Sequence, residues 1–88
     1  MKPRPFNIRH YAALAATVRH GSLTQASRAV HLTQPALTQA IAGLEAQLGI
    51  TLFHRSASGM VATAPAQLLA PRAEAAIDLI GSSRVTAT

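Results

Sequence analysis

The chain has no cysteine, no tryptophan, 3% aromatic residues and only three acidic side chains among 88 residues. Each scarcity removes a class of protein. Without cysteine there is no disulfide framework, no thiol nucleophile and no cysteine-built zinc cage, which suits a reducing compartment. The three carboxylates, Glu45, Glu74 and Asp78, suggest no acid–base dyad. The four histidines, His10, His20, His31 and His54, show no close metal-ligand spacing and read as surface or cap-adjacent side chains. Ser56 and Ser58 lack the G-x-S-x-G frame of a nucleophile elbow. Long apolar runs are missing too, and no stretch reaches the ~18 consecutive apolar residues of a membrane span. The start, Met1-Lys2-Pro3-Arg4, loosely imitates a secretory leader. The imitation fails because Arg9 and His10 crowd the apolar run from Tyr11 to Val18, and Arg19-His20 close it with charge. The expectation is a cytoplasmic chain that is not an enzyme and takes no metal or cofactor.

What is present points elsewhere. Eight Lys/Arg against three Asp/Glu give a net charge of +5, which favours polyanionic partners. Yet 49% of the residues are hydrophobic and 12% charged, so the chain is no disordered basic tail. Its length allows one domain, burying about 60–65% of the surface the unfolded chain exposes. A basic amphipathic membrane-surface segment, Ala64 to Arg84, is disfavoured because Arg72 and Arg84 are offset there by Glu74 and Asp78.

Apolar residues at Ile8, Tyr11, Leu14, Ala15 and Val18 recur at helical spacing and predict a first helix to about Arg19. Asn7 is its N-cap and Gly21 its C-cap. Ser22-Leu23-Thr24-Gln25 has the form of a capping box and opens a short helix ending near Val30. Thr33 caps a third, with Pro35 in its first turn and Gly49 past its end. Leu37, Ile41, Leu44 and Leu48 form its buried stripe. Thr51 to Arg55 and Met60 to Ala62 flank the turn-forming Ser56-Ala57-Ser58-Gly59 and predict a small hairpin. Thr63 caps a last helix to about Ile80, which Pro71 should kink or loosen. The tail from Gly81 to Thr88 has linker chemistry.

Two short helices joined by a tight link and followed by a hairpin are the plan of a winged helix-turn-helix, mostly α, with a three-helix core and a β-hairpin wing. Residues 1–63 would form that domain, 64–80 a dimerising linker helix and 81–88 a flexible tail. The third helix would be the recognition helix, because Pro35, Gln39 and Ala42 point away from its buried stripe, with Gln34 and Thr38 on a flank. The stretch GSLTQASRAVHLTQPALTQAIAGLEAQLGITLFHR, Gly21 to Arg55, resembles the N-terminal DNA-binding domain of LysR-type transcriptional regulators. Its telling pieces are Gly21-Ser22, Ala26, Thr33 to Thr38, Ile41, Leu44-Glu45, Leu48-Gly49, and Leu52-Phe53 with Arg55. With the flanking helices the resemblance covers roughly residues 7 to 80.

The resemblance implies double-stranded DNA as partner and a homodimer, with higher homo-oligomers in a full-length protein. It implies a small-molecule-sensing domain after the linker, so no small-molecule ligand is expected in these residues. Base-reading positions fall on Gln34, Pro35, Thr38 and Gln39. A Gln amide can bond both N6 and N7 of adenine, and Pro35 can press on a thymine methyl. Thr38 could equally contact phosphate. The family often has Arg at the Gln39 position and a basic residue at the Ser58 position. Between Arg28 and Arg55 there is no Lys or Arg, so phosphate grip is expected from Arg28, Thr33, Arg55, Ser58 and Arg4 of the basic arm. Arg55 has a second role open to it, an ion pair with Glu45, itself read as structural. Leu68, Leu69, Ala73, Ala76 and Ile80 form the stripe expected to pair two copies. Winged helices can also bind proteins, and sequence-selective, salt-dependent duplex binding separates the two functions.

Overall fold

A computed structural model describes residues 7–86, with side chains through Leu79. Local capping chemistry sets the first three helices. The Asn7 side chain accepts from the Arg9 N–H at 3.0 Å and opens α1 (Ile8–His20). The hydroxyl of Ser22 accepts from the Gln25 N–H at 3.3 Å and opens α2 (Leu23–Val30). The capping box is made in that direction only: the exposed Gln25 amide does not return a bond to the Ser22 N–H. An amide is a weaker acceptor than a carboxylate, and here water competes with it. Thr33 opens α3 (Gln34–Leu48), its hydroxyl accepting from the Ala36 N–H at 3.2 Å.

The hairpin pairs β1 (Phe53–Ser56) antiparallel with β2 (Gly59–Ala62), Phe53 opposite Ala62 and Arg55 opposite Met60. Thr51 and Leu52, expected in the first strand, stand outside the ladder. Their carbonyls are taken by Thr63, whose hydroxyl donates to Thr51 at 2.8 Å and whose N–H donates to Leu52 at 2.9 Å. Thr63 also caps the next helix, its hydroxyl lying 3.4 Å from the Ala66 N–H. One side chain thus ties the base of the wing to the start of α4.

That helix, α4 (Ala64–Thr86), continues past Ile80, where the sequence predicts a flexible tail. Gly81 alone costs a helix only about 1 kcal/mol, and no proline follows it. The helix also runs through Pro71. Proline removes the partner of the carbonyl four residues earlier. That carbonyl belongs to Gln67, exposed like Pro71, so water can satisfy it.

The core is small and built on α1, which packs against α2, α3 and α4. Leu14, Leu37, Leu44 and Leu52 are fully buried, each contributing about 1.5–3 kcal/mol of transfer free energy. Alanines Ala13, Ala16 and Ala26 let the helices approach closely, and Ala66 and Ala73 bring α4 into the same cluster. The winged domain and the helix after residue 63 therefore share one core.

Candidate nucleic-acid interface

The geometry of the α2–turn–α3 unit follows from its link. His31 adopts the left-handed conformation at φ 58°, a strained state for a residue with a side chain, and its N–H closes onto the end of α2. The Leu32 N–H donates to the Ser27 carbonyl at 2.9 Å, and Thr33 then starts α3. A link this short fixes the two helices against each other.

On α3 the inward face is Leu37, Ile41 and Leu44, all buried. Gln34, Pro35, Thr38 and Gln39 are all exposed, Pro35 and Gln39 opposite that face and Gln34 and Thr38 on its flank. The four positions expected to read bases are thus exposed and uncharged in the N-terminal half of the helix. The Gln34 amide nitrogen donates to the Thr24 hydroxyl of α2 at 3.1 Å. Thr24 escaped the sequence reading because its stretch was accounted for as a cap.

Cations lie beside this face, not on it. Arg28 is exposed in the last turn of α2, and Arg55 is exposed on β1. Arg55 lines two hollows, one between α3 and the wing and one between the start of α2 and the wing. The hollow of about 110 Å³ is shared with Thr38 and Ala42, and the one of about 340 Å³ with Ser56 and Ser58. Leu23 and Met60 line both. Ser58 is exposed in the wing turn, 3.1 Å from the Ser56 hydroxyl. Thr33 spends its acceptor on the Ala36 N–H and keeps a hydroxyl proton for an anion. Arg4 lies outside the described residues.

Glu45 resolves the second role left open for Arg55. Its carboxylate accepts from the Leu52 N–H at 2.8 Å and the Phe53 N–H at 3.4 Å. The Gly49 N–H donates to the backbone carbonyl of the same residue at 2.7 Å. Glu45 therefore pins the chain leaving α3 and makes no ion pair with Arg55. Among the described residues Arg19 is the cation in an ion pair, with Glu74 of α4 at 3.0 Å.

Two members of the expected pairing stripe on α4, Leu69 and Ala73, turn inward, while Leu68 of the same stripe stays open. Ala73 is 4% exposed inside this chain's own core, and Leu69 is half-buried against that core. Those two residues face α1, which packs along α4. The open face carries Leu68, Arg72, Ala75 and Leu79, with Leu68 73% and Leu79 69% exposed. Ala76 is half-buried, and the Ile80 side chain lies outside the described residues. Among the described residues no group of His, Asp or Glu could hold a metal ion, and no helix is long and apolar enough to cross a membrane.

A short-linked helix pair, an exposed polar face on its second helix and a two-stranded wing define a winged helix-turn-helix. Residues 8–67 match the family model of bacterial regulatory helix-turn-helix proteins of the lysR family. The chain belongs to that family and is a DNA-binding domain of its regulators, a class without enzymatic activity.

The chain is 42% identical over 67 residues to the putative HTH-type transcriptional regulator protein PtxE of Stutzerimonas stutzeri, covering 76% of this chain and 34% of that protein. It is 37% identical over 71 residues to the small neutral protease regulatory protein of Streptomyces coelicolor, covering 81% of this chain and 22% of that one. The chain thus spans about a third or less of the length of these relatives. Among solved structures it is similar to the CbnR DBD–DNA complex, with a TM-score of 0.80 and 29% identity over 94% of this chain and 100% of that one. It is also similar to CbnR, a LysR family transcriptional regulator, with a TM-score of 0.84 and 28% identity over 93% of this chain and 28% of that one.

Proposed function

We propose that α3 enters the major groove of duplex DNA and reads base edges with Gln34, Pro35, Thr38 and Gln39. The observation that carries this reading is the shared exposure of those four side chains on a helix whose inner face, Leu37, Ile41 and Leu44, is buried and apolar. Arg28, Thr33, Arg55 and Ser58 hold the phosphates of the flanking strands, with Arg4 of the N-terminal arm, and the wing lies beside the adjacent minor groove. Similarity to a DBD–DNA complex supports the assignment of partner.

Two copies bind together through the open face of α4, where Leu68 and Leu79 would otherwise remain in water. A two-fold pair calls for an interrupted inverted repeat with half-sites about one helical turn, or a multiple of it, apart. A cytoplasmic regulator of transcription is the setting that fits.

The test is a set of binding isotherms on a duplex selected from a random pool and on its scrambled counterpart, at several salt concentrations. Gln34→Ala and Gln39→Ala should each reduce discrimination between the two by about 1–3 kcal/mol and leave the salt slope alone. Arg28→Ala should weaken both duplexes alike and flatten the slope by about 1 per protomer. Equal losses on both duplexes for the glutamine variants would sink the readout assignment.

A further inference from the structure

Gln34 stands at the first position of α3 and Thr24 at the second position of α2, and both are exposed on the surface that would meet DNA. They are joined by the bond from the Gln34 amide nitrogen to the Thr24 hydroxyl oxygen, at 3.1 Å. A glutamine amide has one acceptor oxygen and two N–H donors. A free amide can turn about its terminal torsion and offer either end to a base.

Spending one N–H on Thr24 changes that. The amide plane is fixed, and what remains for a base is one acceptor, Oε1, beside one donor, the second N–H. Adenine offers the matching pair in the major groove, a donor at N6 and an acceptor at N7. Guanine offers acceptors at both O6 and N7, so the held amide can satisfy one of them and sets its own oxygen against the other. Because the anchor sits on α2, its position relative to α3 is set by the rigid helix–turn–helix link and not by DNA contact.

We infer that Thr24 is a positioning residue for base selection: its hydroxyl holds the Gln34 amide in the orientation that accepts adenine and rejects guanine. The inference rests on the reading of Gln34 as a base contact. Thr24 itself need touch no base.

The experiment takes duplexes selected from a random pool by the unmodified chain and replaces each adenine by guanine in turn, measuring affinity ratios. Gln34→Ala should erase the adenine preference at one position of each half-site. Thr24→Val, which keeps the shape and removes the hydroxyl, should reduce the preference at that same position by roughly three- to tenfold, the worth of one hydrogen bond. Thr24→Ser should restore it, and Thr24→Val added to Gln34→Ala should lower it no further. Each ratio compares two affinities of one protein, so a loss of folded fraction cancels. The inference is overturned if Thr24→Val leaves the ratio unchanged, or weakens every duplex equally as a plain backbone contact would. If Gln34→Ala itself moves no position, the base-reading assignment of Gln34 fails and this inference falls with it.

Discussion

The wing is held to the helical body by a contact that only glycine permits, and replacing Gly59 with alanine tests how the domain is assembled. Gly59 has φ +131°, and a Cβ built there would stand 2.5 Å from the Gly21 carbonyl oxygen. That oxygen accepts the Met60 N–H at 3.2 Å, so the hairpin docks backbone to backbone on the turn between α1 and α2. No side chain can rotate away to relieve the clash. A residue with a Cβ at this φ costs about 1–3 kcal/mol in backbone strain, and losing the Met60 bond adds about 0.5–1.5 kcal/mol.

Gly21 supplies the control. It too has positive φ, +65°, but nothing lies within 4 Å of its missing Cβ. Gly21→Ala should therefore cost only about 1–2 kcal/mol of left-handed strain. In a domain of this size each kcal/mol moves the melting temperature by about 4–8 °C. Thermal unfolding followed by far-ultraviolet circular dichroism should show Gly59→Ala melting well below Gly21→Ala. If the wing escapes by swinging away, the melting loss shrinks, and affinity should fall equally for all duplexes under the backbone contacts proposed for the wing. A Gly59→Ala protein with unchanged melting and unchanged DNA affinity would refute the docking.

Other outcomes follow from side-chain bonds. Glu45→Ala leaves the Leu52 and Phe53 N–H groups without their acceptor and should destabilise by about 1–3 kcal/mol in urea unfolding. Glu45→Gln, which keeps an acceptor oxygen, should lose distinctly less. The Arg19–Glu74 pair is exposed at 67% and 38%, so Arg19→Ala should change unfolding free energy by less than about 1 kcal/mol. The same variant should leave the salt slope of DNA binding unchanged, because Arg19 is already paired and lies on α1.

Much of this architecture was legible because its signals are local. Asn7, Ser22 and Thr33 each cap the helix that the periodicity of the following residues predicts. The face of α3 was legible for the same reason, since the direction of a helical side chain follows from its number. What stayed hidden depends on contacts distant in sequence. The Gly59–Gly21 approach joins a wing turn to a helix turn, and nothing near either glycine announces the other. Glu45 stood out in the family pattern, but its two backbone partners on β1 were visible only in the fold. The stripe on α4 misled because periodicity shows that a face is apolar without saying what covers it. Leu69 and Ala73 looked available to a second copy until α1 was seen to occupy them.

The placement of charge bears on how the domain can be selective at all. Ionic contacts attract every duplex alike, while base-edge bonds separate one duplex from another. On the elements flanking α3, Arg28 and Arg55 are the exposed arginines, and α3 itself carries no cation. Each phosphate neutralised contributes about 0.9 to the salt slope, so under the proposed contacts these two arginines would add only about 2 per protomer beyond the N-terminal arm. In the proposed dimer, two copies would double that contribution and apply the uncharged Gln34–Gln39 surface to two half-sites. Discrimination then grows with both copies, while the non-specific attraction of a lone protomer stays small. A domain with cations on its recognition helix would hold all DNA more firmly and would be released less readily from the wrong sequence.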